Sequence, residues 1–490
     1  MSDQSFKKSL GSLDVVALAF GAMIGWGWVV LAGSWVLSAG VLGSVLAFLL
    51  GGSVVLFIGL TYAELAASMP VTGGEHTYTY RAMGIHVSFF CSWMMLMGYL
   101  SVVAFEAVAL PTVVEYLVPN YNQGFLYNIA GWDVYASWVA VGMIGSVVMT
   151  WINIRGVEVS AWFQKAAVFG ILAVGIMLFV GALMFHPDEL GRAPDFAENK
   201  WAGIMMVMVM VPFMFVGFDV IPQAAEEIDL TRPKIALYLM VSLVIAVMWY
   251  MGIAWSVGTI LTPQEISGSP LATADAIAKA WGGNWAGTLL IIAGVLGILS
   301  SWNAFLMGGS RLIYAMSLSY MLPESLGKLH AKYQTPVTAT LLLGGLATIA
   351  PLFGRKMLVW IVDAGGLGVV IAYTLVALSF LVLRIKEPKS MVRPVKIPAG
   401  KLVGVLTLLA AGSMIYLYLP GSPSALIPVE WAIFAAWTVF GILLYLYALK
   451  KFPGKSKAFM DEEIVAIKEH NQKWWREHGM PSKAFEHEND

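Results

Sequence analysis

Few side chains in this sequence could do chemistry, and the most telling of them interrupt apolar runs. Glu106 sits within YLSVVAFEAVALP, residues 99–111. An ionised carboxylate at a bilayer centre costs at least roughly 2.5–3.5 kcal/mol on insertion scales, so it must face protein or a cavity. Three readings fit it. It can hold a substrate ammonium, with Trp26, Trp28 and Trp302 adding cation–π contacts of about 0.5–2 kcal/mol. It can carry a proton for coupling. It can also be a neutral, hydrogen-bonded structural acid. Asp219 follows the segment VPFMFVGF and suits a cap on the half-helix after it. Asp363 opens a helix beside Gly365-Gly366, where capping and gating both fit. Glu64 and Glu75 flank a turn, and with Arg81 they suit a gate better than a binding site.

The rest of the inventory excludes more than it suggests. Histidines 76, 86, 186, 330, 470, 478 and 487 fall in loops or tails, and none has a metal-ligand spacing such as H-E-x-x-H. Neither a nucleophile elbow nor a phosphate loop occurs. The single cysteine, Cys91, excludes an intrachain disulfide and a cysteine metal site. An enzyme is therefore not expected, nor is a resident metal or organic cofactor. The net charge of −1 gives no sign of a nucleic-acid partner.

What positions these side chains must be a set of membrane helices. The chain has 490 residues, 59% hydrophobic and only 12% charged, against about 25% charged for a soluble domain. Its apolar runs are long enough to span a bilayer, and in lipid only helices and closed barrels satisfy their backbone. Barrel strands would be far shorter and strictly alternating. Twelve spans are expected, near 14–38, 42–68, 87–117, 134–153, 163–185, 203–223, 236–261, 285–316, 336–353, 358–383, 402–419 and 430–449. No cleavable signal is expected in the polar start MSDQSFKKSL.

With the N-terminus in the cytoplasm, all but five of the 29 Lys and Arg residues fall on the cytoplasmic side. The five are Arg192, Lys200, Lys279, Arg355 and Lys356. By the positive-inside rule both termini are cytoplasmic. Residues 1–450 read as one polytopic domain and 451–490 as a polar cytoplasmic tail. A tail helix over 458–477, with Phe459, Ile464, Ile467, Trp474 and Trp475 on its apolar side and Pro481 beyond, would lie against the membrane or the protein's base.

Two spans carry breaks. The first holds Gly21, Gly25 and Gly27 in GAMIGWGWVV. Glycine costs a helix up to about 1 kcal/mol relative to alanine, but it also permits close packing. The sixth holds Pro212 and Gly217 around aromatics. Interrupted segments at matching places in two halves point to a transporter binding site. They imply two five-helix repeats, about 14–185 and 203–383, with added helices at 402–449. Freed N–H groups suit a carboxylate, and freed carbonyls suit an ammonium or sodium ion.

The chain resembles the amino acid–polyamine–organocation superfamily along nearly its whole length. GAMIGWG, 21–27, is similar to the family's G-x-x-I-G-x-G motif. YAELAASMPVTGGEHTY, 62–78, and NIRGVEVSAWFQ, 153–164, resemble its first two loop signatures. GFDVIPQAAEEIDLTRP, 217–233, NAFLMGGSRLIYAMSLSYMLP, 303–323, and LRIKEP, 383–388, followed by Arg393-Pro394, continue the match in order. The resemblance implies an all-α membrane protein of the LeuT type. That means a 5+5 inverted repeat with helices 1 and 6 unwound, plus helices 11 and 12, working by alternating access without covalent chemistry.

It also implies site residues. The substrate carboxylate would bind at Ile24, Gly25, Trp26 and Gly27, and its amine at Phe213, Phe215, Val216 and Gly217. Phe213 falls at an aromatic gate, and Trp302 where a tryptophan packs on the substrate side chain. Ser300 and Ser301 fall where sodium-coupled proteins of this fold hold the ion with hydroxyls, although such hydroxyls more often bond neighbours. Two positions depart from the family. Trp26 replaces a usual small residue, and Ile171 stands near where some proton-coupled members carry a lysine.

The expectation is a secondary transporter of amino acids or related amines in the cell membrane, with a proton or sodium ion for coupling. A transporter-fold sensor that binds such solutes without flux is the alternative.

Overall fold

The computed structural model describes residues 6–118, 120–185, 195–197, 199–387, 391–422 and 425–477. The side chains of Val209, Pro212 and Trp475 lie outside the described set, as do Arg192, Pro481, His186, His478 and His487.

The chain is predominantly helical. Helix α1 (Ser12–Met23) is followed by α2 (Gly27–Ser68), the short α3 (Glu75–Met83) and α4 (Ile85–Leu117). Strands β1 (Phe125–Ile129) and β2 (Trp132–Tyr135) precede α5 (Ala136–Ile154) and α6 (Val157–Met184). Then come α7 (Lys200–Met214), α8 (Val220–Gln223) and α9 (Arg232–Ile260). Two short helices, α10 (Pro263–Gly268) and α11 (Ala272–Ala280), lead to α12 (Asn284–Leu318). The last five are α13 (Val337–Ile349), α14 (Gly354–Lys386), α15 (Gly400–Tyr416), α16 (Pro428–Lys451) and α17 (Lys455–Glu477).

Among the described residues, eight helical stretches are long and apolar enough to cross a membrane. Two of the eight contain sharp bends. In α2, Gly40 adopts φ 72° and ψ 176°. Beside it, Leu42 N–H donates to the Asp195 carbonyl and Ala197 N–H to that of Ala39. Between α13 and α14 a 3-10 turn, Ala350–Phe353, ends at Gly354 with φ 69°.

Among the described residues the only sheet is the short hairpin β1–β2, in the connection between α4 and α5. Its strands pair antiparallel about Ala130 and Gly131, both at positive φ. Two such residues are what a tight hairpin turn requires.

Small residues set the helix contacts. A methyl group at Gly59 of α2 would stand 2.2 Å from Leu243 of α9, and one at Gly98 of α4 2.1 Å from Val369 of α14. Such close approach is how membrane helices gain packing energy without a hydrophobic drive. Buried ion pairs lie near the carboxyl ends of α2, α12 and α14. Glu64 accepts from Arg384, Arg393 and the Ile397 N–H, and Glu227 pairs with Arg311 at 2.6 Å. Arg81 pairs with Glu387 at 2.6 Å.

Candidate functional site

The first break separates α1 from α2. Ile24 leaves helical geometry at φ −101° and ψ 69°, and Trp26 is the residue before α2 begins at Gly27. The first turn of α2 therefore turns its N–H groups towards the gap, as any helix start does. The second break separates α7 from α8. Residues 215–219 form successive turns, and Gly217 holds φ +128°, a conformation that favours glycine.

The two breaks touch. A methyl group at Gly217 would lie 2.5 Å from Ala22 Cβ, and one at Gly27 would lie 2.8 Å from Met214 Cε. Tyr250 of α9 bridges them: its hydroxyl reaches the Met23 carbonyl at 2.7 Å and the Met214 carbonyl at 3.1 Å. Its ring packs edge-on against Phe215 at 5.3 Å.

Helix α12 presses on the first break from another side. A methyl group at Gly297 would stand 2.7 Å from the Gly25 carbonyl oxygen and 3.0 Å from that of Ile24. Gly294 leaves the space that the Trp26 indole fills, with ring atoms 2.2 and 2.6 Å from where its methyl would be. Ser300 Oγ lies 3.0 Å from the Gly21 carbonyl and 3.1 Å from that of Gly297.

The Glu106 carboxylate of α4 and the Ser301 hydroxyl of α12 face each other over Gly25. Glu106 Oε1 and Ser301 Oγ lie 3.2 and 3.5 Å from the Cβ position that glycine leaves empty. Glu106 is 4% exposed, and its Oε2 has no hydrogen-bond partner. Buried polar atoms are nearly always paired, so an orphan of this kind marks a place where a ligand or proton fits.

Asp219 is placed differently from the expected helix cap. It makes no side-chain cap to α8. Its Oδ1 accepts from Gly217 N–H at 2.9 Å and from the Tyr373 hydroxyl at 2.6 Å, and its Oδ2 accepts from Tyr99. It thus ties the second break to α4 and α14. Asp363 lies inside α14 rather than at its opening, facing Glu430 of α16. Glu75 accepts from Gln223.

The aromatics divide. Phe215 and Trp302 are fully buried, whereas Phe213 is 38% exposed. Trp302 packs on Gly145 of α5 with ring atoms 3.2 and 3.4 Å from its empty Cβ position, and its Nε1 has no partner. Trp28 packs edge-on against Trp249 at 5.3 Å.

Several residues that build the site were not singled out from the sequence. They include Tyr99, Tyr250, Tyr373, Gly294 and Gly297. A further one is Asn303, whose Oδ1 accepts from Asn153 and Ser160 at 2.9 Å each, while its Nδ2 donates to Gln164. Gln164 in turn donates to the Ala17 carbonyl, tying α1, α5, α6 and α12 together. The signal for the tyrosines and Asn303 was a hydroxyl or amide inside an apolar run; Gly294 and Gly297 carried none. Among the described residues no group of three His, Cys, Asp or Glu could hold a metal.

Comparison with known proteins adds the lineage. A family model described as "Amino acid permease" matches residues 10–444. A branched-chain amino acid permease of Bacillus subtilis (strain 168) is 26% identical over 467 residues, which cover 91% of this chain and 94% of that protein. A methylthioribose transporter of the same organism is 26% identical over 468 residues, covering 91% and 95%. Human cationic amino acid transporter 4 is 28% identical over 403 residues, covering 79% of this chain and 61% of that longer protein.

Proposed function

The chain belongs to the amino acid permease family, and from that premise we propose that it is a secondary transporter of amino acids or related amines. It holds its substrate between the two breaks and exposes it to each side of the cell membrane in turn. In this reading the bends at Gly40 and Gly354 separate spans, which gives twelve crossings in two inverted five-helix repeats plus α15 and α16. Both chain ends then lie in the cytoplasm.

The observation that carries the proposal is the orphaned Glu106 oxygen beside Gly25, in the first of the two breaks. The substrate carboxylate takes the N–H groups at the start of α2, aided by the helix dipole. Its ammonium takes carbonyls of the 215–217 turns, and a second amine would take Glu106. Relatives named for branched-chain and for cationic amino acids support the substrate class. Trp26 does not occupy the substrate's place in this reading, because Gly294 accommodates its indole.

For coupling we favour a proton carried by Glu106. Ser300 is already engaged with the Gly21 carbonyl, which weakens a hydroxyl pair for sodium at Ser300 and Ser301. The test is uptake of labelled neutral and cationic amino acids by proteoliposomes of the purified chain, with and without imposed proton and sodium gradients. Accumulation driven by a proton gradient is expected. Stable binding with no flux of any amine-bearing solute would overturn transport and favour a sensor.

A further inference from the structure

Away from the breaks, a cavity of about 760 Å³ opens between α17, the N-terminal segment and the start of α9. The tail helix forms one wall. Tyr80 donates to Asp461 at 2.7 Å, Thr77 to Glu463 at 3.1 Å, and Asn471 Nδ2 to the Ser68 carbonyl at 3.0 Å. The opposite wall is the first turn of α9, a helix of 29 residues whose N-cap Thr231 makes no side-chain cap.

That first turn is electrostatically unusual. The amino end of a helix carries a partial positive charge and stabilises anions. Here it bears two cations, Arg232 and Lys234, and Lys8 lines the same cavity. Arg232 is only 5% exposed. Its guanidinium donates from Nη1 to Asn471 and lies over the Trp474 ring at 5.7 Å, while Nη2 has no hydrogen-bond partner. This buried guanidinium, with an unmade bond at a cationic helix start, forms no ion pair among the described residues.

We propose that this cavity binds a phosphate group at the amino end of α9, held by Arg232, Lys234 and Lys8. Phosphate oxygens match the planar fork of arginine, and helix starts are ready-made phosphate sites. Three acids also line the cavity, Glu226, Asp229 and Glu463, together with His470. Glu226 is engaged by the Thr72 N–H at 3.2 Å and Glu463 by Thr77. Burial pushes the Glu463 carboxyl up to about 7. His470 is pushed down by burial and then by Arg232 and Lys8, and so adds no lasting positive charge there. Three cations and three acids therefore line the cavity, and among the cations Arg232 is the buried one with an unmade hydrogen bond.

The phosphate can belong to a soluble anion or to a phospholipid headgroup, and two arms of one experiment separate them. Thermal unfolding of the full chain is followed in zwitterionic detergent with sodium phosphate, against sodium chloride at equal ionic strength. It is also followed in nanodiscs of phosphatidylglycerol against phosphatidylcholine. A saturable rise in midpoint with phosphate assigns a soluble ligand, and a rise only with the anionic lipid assigns a headgroup. In either case Lys8→Gln/Lys234→Gln, which changes two exposed side chains, should weaken the response by roughly thirtyfold, as for two lost surface cations. No rise in either arm, or a double variant that responds like the parent, overturns the proposal.

Discussion

The Tyr250 hydroxyl lies 2.7 Å from the Met23 carbonyl oxygen at the end of α1. The same hydroxyl lies 3.1 Å from the Met214 carbonyl at the end of α7. One proton is thus offered to two carbonyls that each end a half-helix. Removing it leaves both short of a donor, and a lost bond of this kind costs about 0.5–1.5 kcal/mol. Tyr250→Phe should keep the ring contact with Phe215 and change the thermal midpoint little. Uptake assays should show a raised KM. An unaltered KM would mean that the bridge does not set the site's geometry.

Gly217→Ala tests the contact between the breaks. Its methyl would meet Ala22 Cβ at 2.5 Å, at a φ of +128°. Backbone strain alone contributes roughly 1–3 kcal/mol. Loss of uptake is expected, with a lower unfolding midpoint. Gly412→Ala in α15 is the control, because nothing lies within 4 Å of its Cβ position. That variant should transport as the parent does.

Glu106→Gln keeps the shape of the side chain and removes its charge and its proton cycle. Cationic amines should lose uptake by tenfold or more, about 1.4 kcal/mol, and proton-driven accumulation should fail. Parental uptake of every substrate at every pH would remove Glu106 from the site.

Glu64→Gln addresses stability rather than transport. Glu64 is 1% exposed and neutralises Arg384 and Arg393. Leaving buried cations unpaired costs about 3–5 kcal/mol. A marked fall in thermal midpoint is expected in detergent, and a midpoint equal to the parent's would show that water already reaches this cluster.

The tail helix should loosen as pH rises. Burial moves Glu463 from its ordinary 4.5 to about 7, so the docked state holds a proton that the undocked state has released. Docking is favoured below 4.5, weakens across the window from 4.5 to 7, and levels off above it. Limited proteolysis within 455–477 should quicken across that window. Subtracting the profile of Glu463→Gln isolates this group from His470, whose lowered value acts in the opposite sense. Identical profiles for the parent and the variant would discount Glu463.

Much of the scaffold was legible in the sequence because its signals are local. A run of apolar residues or a glycine pair changes the energy of its own segment, and the glycines around Gly25 read as a break once a second interruption stood at Gly217 in the matching place of the other half. What was missed depends on pairs far apart in the chain. Asp219 reads as a helix cap when only its neighbours are considered. Tyr99 and Tyr373, 120 and 154 residues away, claim its oxygens instead. Arg81 finds its partner in Glu387, 306 residues away, which its own segment does not announce. Gly294 and Gly297 look like any packing glycines until Trp26 and the Gly25 carbonyl are set against them. The hairpin at 125–135 is short, and its strands carry no apolar run to announce it.

The seat of Trp26 against Gly294 has a mechanical consequence. An indole lodged in a recess one methyl group wide acts as a detent. Helix α12 cannot creep past the start of α2 by small increments; it stays seated or releases the ring whole. On the proposed alternating access, motion at this contact would proceed by a discrete click, and filling the recess, as in Gly294→Ala, would jam the catch rather than tighten it.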